Sequence, residues 1–129
     1  MKNLLSLILL SILSLTIKAN PIIDNAITIA LKNGNSAEIA KYFDASIDLT
    51  LPNNEGVFSK AQAALILKTF FAKHQPSSFS IVHNGDSKNN SHYSIGNLKT
   101  NNGVFRTYLL YKEVGKKITI LELRIESDE

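Results

Sequence analysis

Three histidines, His74, His83 and His92, are the side chains in this sequence best suited to carrying a proton near neutral pH. His83 is the most informative of them. It follows Phe79 and Ile81 at period two, so a strand would set it on their apolar face, at the edge of any pocket that face lines. Tyr93 belongs to the next strand-like run and offers a phenol that can donate a hydrogen bond. A histidine base beside a phenol donor would equip an isomerase- or lyase-like enzyme acting on a hydrophobic small molecule. Asp48 is the third ligand-binding candidate, a carboxylate that alternates away from Ile47 and Leu49 and so lies on a polar face. No acid/base pair arrives at an evident spacing. No residue is therefore assigned as catalytic, and the enzyme reading stands as the alternative.

Other chemistries find less support. The histidines lie nine residues apart, unlike the short spacings that bring two imidazoles to one ion, so no metal is expected. His74 closes a helical run, where a positive charge favours the helix dipole. G-x-S-x-G, P-loop and dinucleotide fingerprints are missing, and nothing implies a cofactor. The chain has no cysteine, which removes disulfides, thiolate nucleophiles and a lipid-modified cysteine together.

The opening "MKNLLSLILLSILSLTIKAN" has Lys2, an apolar run from Leu4 to Ile17, and Ala19 as the last leader residue. The expectation is a secretory signal peptide over 1–19 and a single domain over 20–129. The run is shorter than the ~20 residues of a spanning helix, so the product is expected to be periplasmic or extracellular and free of the membrane. Losing the leader takes Lys2 and Lys18 from 14 basic residues and leaves 12 against 11 acidic ones. That near-neutral balance argues against nucleic acid as a partner.

Helical spacing governs the first half of what remains. Asn20 and Pro21 suit a helix start, with Ile22, Ala26, Ile29 and Ala30 on its apolar face and Gly34 at its end. Asn35 and Glu38 resemble a capping box for a short second helix, after which Ile47, Leu49 and Leu51 alternate as a strand and "NNEG" turns. Ser59 and Gln62 form an S-x-x-Q capping box for a long core helix carrying Ala63, Ile66, Leu67, Phe70 and Phe71 on one face.

Period two then takes over, and four antiparallel strands are expected in succession. In the last hairpin, Phe105, Thr107, Leu109 and Tyr111 share one face with Thr119, Leu121, Leu123 and Ile125. Val104, Arg106, Tyr108 and Leu110 share the other with Ile118, Ile120, Glu122 and Arg124. Both faces are substantially apolar, so the one turned away from the helices must meet something. Arg106, Tyr108, Ile120 and Glu122 are its interface candidates, with Arg106 and Glu122 expected as a cross-strand ion pair.

This succession of elements resembles the nuclear transport factor 2-like superfamily, in which a strongly curved sheet wraps a long helix to make a cone. More closely, "YFDASIDLTLPNNEGVFSKAQAALILKTFFAKH", "YSIGNLKTNNGVFRTY" and "LELRIESDE" resemble a bacterial family of small secreted proteins known as domain of unknown function 4783. The resemblance implies an α+β, cone-shaped fold, N-terminal helices packed on a curved antiparallel sheet, and export; it carries no catalytic residue across. The leading expectation is a non-catalytic binding domain for a small apolar ligand in the cone, or for a protein partner such as a second copy of the chain. An accessory role toward a larger envelope protein assembly is the remaining alternative.

Overall fold

The computed structural model describes Ile23 and residues 25–128. The leader and the expected start of the first helix at Asn20 and Pro21 lie outside the described residues. Helix α1 (Asn25–Asn33) buries Ile27, Ala30 and Leu31, while Ile29, expected inward, is exposed. Gly34 ends it at φ +63°, a conformation that disfavours a side chain; the turn sits so close to Pro76 that an added Cβ would meet its ring at 2.9 Å. Helix α2 (Ser36–Ala40) is capped by Asn35, whose side chain accepts from the Glu38 backbone N–H at 3.2 Å. The Glu38 carboxylate turns instead to Lys41, at 2.6 Å.

Strands β1 (Phe43–Leu51) and β2 (Asn54–Ser59) form a hairpin that leads into helix α3 (Lys60–Lys73). The α3 box is formed as the sequence specifies: Gln62 N–H donates to Ser59 Oγ at 3.2 Å, and Ser59 N–H to Gln62 Oε1 at 3.3 Å. Ala63, Leu67, Phe70 and Phe71 are buried on the face this register presents, with Ile66 half-buried beside them. β3 (Pro76–Asp86), β4 (Ser91–Thr100), β5 (Gly103–Val114) and β6 (Lys117–Ser127) complete the chain.

All strands join one six-stranded sheet in the order β2-β1-β6-β5-β4-β3. This overturns the expected geometry in two respects. The sheet is mixed, because β1 runs parallel to β6 while every other pair is antiparallel. It is also open, with β2 and β3 as separate edges that never meet, so it does not curl into the cone that the resemblance implied. The turn expected over "NNEG" is shorter and earlier: the chain reverses at Pro52 and Asn53, and Asn54, Glu55 and Gly56 already begin β2.

The core lies between one face of this sheet and the helices, with α3 packed against β1 and β2, and α1 against β3. Ile47, Leu49, Leu98, Leu109, Tyr111, Ile120 and Leu123 are fully buried there. Burying one such side chain contributes roughly 1.5–3 kcal/mol, so this inner face holds the fold. The opposite, outer face carries no helix among the described residues.

Candidate functional site

Irregularities in pairing decide what the outer face displays. In β3 the register shifts between Ile81 and His83, which leaves Val82 unpaired. His83 therefore leaves the side of Phe79 and Ile81 and stands on the outer face opposite Ile95. In β6 the register shifts at Leu121: Tyr111 pairs with Ile120 and Leu110 with Glu122. Ile120, expected among the outer interface residues, is thereby carried into the core and fully buried, as is its partner Tyr111.

The outer face then reads as a row across four strands. His83 Nε2 lies 3.1 Å from Tyr93 Oη. The Tyr93 ring stacks on Tyr108 with centroids 6.0 Å apart and planes 23° apart. The Arg124 guanidinium lies 5.7 Å from the Tyr108 ring centre, a cation–π distance. Arg124 is gripped by Glu122 at 2.7 Å and reached by Glu126 at 3.7 Å. Gly85, paired with Tyr93 across the strands, has the phenol lying directly over it where a Cβ would stand. The row thus depends on one missing side chain.

Its electrostatics follow from half-burial beside charge. Burial raises the Tyr108 phenol above the usual tyrosine range, Glu122 adds to the rise and Arg124 opposes it. The hydrogen bond to Glu122 raises the Arg124 guanidinium further. Two shallow depressions flank the row, of about 320 Å³ and about 170 Å³, and they share Ile95 and Arg106, so they are continuous along β4 and β5.

The expected pair of Arg106 and Glu122 is not made. Arg106 stands opposite Asn97 and Glu126, and Glu122 opposite Leu110, so the two lie four residues apart along the hairpin rather than opposite or diagonal. Asp48 does lie on the outer face, but beside Glu122 on β1, with β6, β5 and β4 between it and His83. His83 and Tyr93 are brought together as proposed partners, yet His83 is exposed on an open sheet rather than set inside a pocket. Such a place does not exclude water, which proton-transfer sites do.

Two arrangements escaped the sequence. Arg124 anchors the outer row and was legible only as an alternation of strand residues. His92 and Asp86 pair on the inner side, Nδ1 to Oδ1 at 2.8 Å, next to the Tyr111 ring at 5.7 Å. The short β3–β4 turn sets these two opposite each other. Among the described residues no three His, Cys, Asp or Glu side chains gather in a metal-binding group.

The fold, three helices and a six-stranded mixed sheet, is shared with solved structures of low sequence identity. A cystatin-like domain of unknown function from Nostoc punctiforme PCC 73102 has a TM-score of 0.62 at 8% identity, over 81% of this chain and 72% of that one. Residues 24–126 match the domain of unknown function DUF4783, and the chain belongs to that family. It is 30% identical to a DUF4783 protein of Bacteroides ovatus ATCC 8483, over 83% of this chain and 96% of that one, with a TM-score of 0.75. To one of Bacteroides uniformis ATCC 8492 it is 31% identical, over 84% and 99%, again with a TM-score of 0.75. No curated protein matches it significantly.

Proposed function

We propose that this is an exported, non-catalytic binding domain that pairs with a second copy of itself through the outer face of its sheet. The row Tyr93–Tyr108–Arg124 carries the reading. These are the residue types that dominate interface energetics, and here they lie half-exposed beside Ile95 with nothing described above them. Charge favours a second copy over an unrelated partner. Arg106 and Arg124 share the patch with Glu122, Glu126 and Asp128, and a surface holding both signs can meet itself about a two-fold axis.

The pocket enzyme reading draws less support, since His83 and Tyr93 sit on an uncovered face. Export rests on the leader pattern, and the N-terminal residue of the protein recovered from the envelope tests it: Asn20 supports cleavage after Ala19, and Met1 discards it.

Sedimentation across a wide concentration range tests the pairing. The wild type should pass from monomer to dimer, and Tyr108→Glu should remain monomeric with its thermal midpoint nearly unchanged. A wild type strictly monomeric at high micromolar concentration would sink the second-copy reading. A monomer that recovers bound to one envelope protein, and loses it in Tyr108→Glu, would transfer the same face to the accessory role.

A further inference from the structure

We infer that a second, separate site lies on the helix-covered side of the sheet, where the β1–β2 turn faces the last two turns of α3, and that it takes a small carboxylate with a short apolar tail. A cavity of about 260 Å³ opens there, room for a ligand of small-metabolite size rather than a drug-sized one. Its apolar wall is Leu51, Ile66 and Phe70; its polar side is Asn53, Lys73 and His74.

The polar side is organised for donation. His74 Nδ1 lies 2.7 Å from Asn102 Oδ1. The Asn102 amide is itself oriented, because its Nδ2 donates to the Lys73 carbonyl at 3.1 Å and its Oδ1 also accepts from Thr100 Oγ1 at 3.1 Å. With Oδ1 turned to the imidazole, Nδ1 carries the proton, and Nε2, the ring atom left for a ligand, donates only when the ring is an imidazolium and accepts when it is neutral. The ring also packs on Phe70 and Phe105, whose centroids lie 4.7 Å and 5.0 Å away in a three-ring cluster. A histidine fixed on three sides costs little to order when something binds.

Charge then selects the ligand. No Asp or Glu lines the cavity, and Lys73 makes no ion pair among the described residues. The Lys73 ammonium and the Asn53 side-chain amide suit a carboxylate head, joined by His74 Nε2 when the ring is protonated, and the Leu51–Ile66–Phe70 wall suits a few methylenes or one ring. The C-terminal end of α3 opposes an anion through its dipole. That opposition is reduced because the Phe70 and Lys73 carbonyls already accept from His74 N–H and Asn102 Nδ2, and Lys73 offsets the remainder.

Titration of the ¹⁵N-labelled protein with hexanoate, hexanol and hexylamine, followed by amide chemical shifts, tests this. Hexanoate should move signals of residues 51–54 and 66–74 saturably, and hexanol and hexylamine should bind at least about tenfold more weakly, the value of one charge-assisted hydrogen bond. Lys73→Gln should weaken hexanoate by a similar factor and leave hexanol unchanged, and Ile66→Trp, which fills the wall, should abolish both. Unsaturable shifts, equal binding of the three probes, or indifference to Lys73→Gln would each overturn the site. These residues lie away from the outer row, so the monomer–dimer balance should be the same in every variant, and failure here is separable from failure of the pairing.

Discussion

The two faces of the sheet are built from similar residue types but do different work. On the inner face, Leu98, Leu109, Tyr111 and Leu123 are fully buried and join the helix residues in a single cluster. On the outer face, Tyr93, Tyr108 and Leu110 are only half-buried, and charged side chains stand between them. The difference is one of cover as well as of charge. A helix layer makes one face a core, and a bare face that keeps Tyr93, Ile95, Tyr108 and Leu110 among its charges remains available for association.

Truncation should separate the faces most sharply. Leu123→Ala removes a fully buried side chain and should cost about 2–5 kcal/mol of unfolding free energy, read by chemical denaturation. Tyr108→Ala, a larger deletion on the outer face, should cost the monomer about 1 kcal/mol or less while weakening self-association. Equal losses in the two variants would mean that the outer face is covered in the folded monomer and is not an interface.

Two glycines sharpen the contrast at smaller amplitude. A Cβ on Gly96 would stand 2.6 Å from the Phe79 ring and 2.7 Å from the Ser80 backbone oxygen, where rigid neighbours cannot withdraw. Gly96→Ala should therefore destabilise by about 1–3 kcal/mol. A Cβ on Gly85 meets only the tip of Tyr93, which can swing into solvent. Gly85→Ala should leave the denaturation midpoint nearly in place, break the contact with His83 and lower dimer affinity. A large stability loss in Gly85→Ala would show that the row is structural rather than associative.

What the sequence disclosed follows the same division. Local signals that repeat within one element were legible: the Ser59–Gln62 box, the buried face of α3, and the alternation of Ile47, Leu49 and Leu51. Long-range geometry was not. The parallel pairing of β1 with β6 joins residues about seventy positions apart, and no period in either strand specifies a partner. The irregularities at Val82 and Leu121 reverse side-chain parity within runs that look unbroken, and this alone moved His83 outward and Ile120 inward. Alternation did set Arg106, Tyr108, Glu122 and Arg124 together on the face where they stand, but it put His83 and Ile120 on the wrong one. Alternation identifies members of a face only as far as the next bulge.

The smallest effect tests the inner face at its one chemical flaw. Thr107 is fully buried between Phe105 and Leu109, opposite Gly96 and Ile125, and its hydroxyl has no hydrogen-bond partner among the described residues. An unsatisfied buried hydroxyl costs about 1–3 kcal/mol in desolvation, whereas valine has nearly the same shape, no polar atom and a good strand propensity. Thr107→Val should therefore raise stability by roughly 0.5–1 kcal/mol, with dimer affinity unchanged because the residue lies on the covered side. A loss of stability would mean that the hydroxyl holds a buried water, so that the inner face, too, contains a polar position that helps to keep the fold. A gain would leave the outer face as the side of the sheet where polar groups are retained for something other than folding.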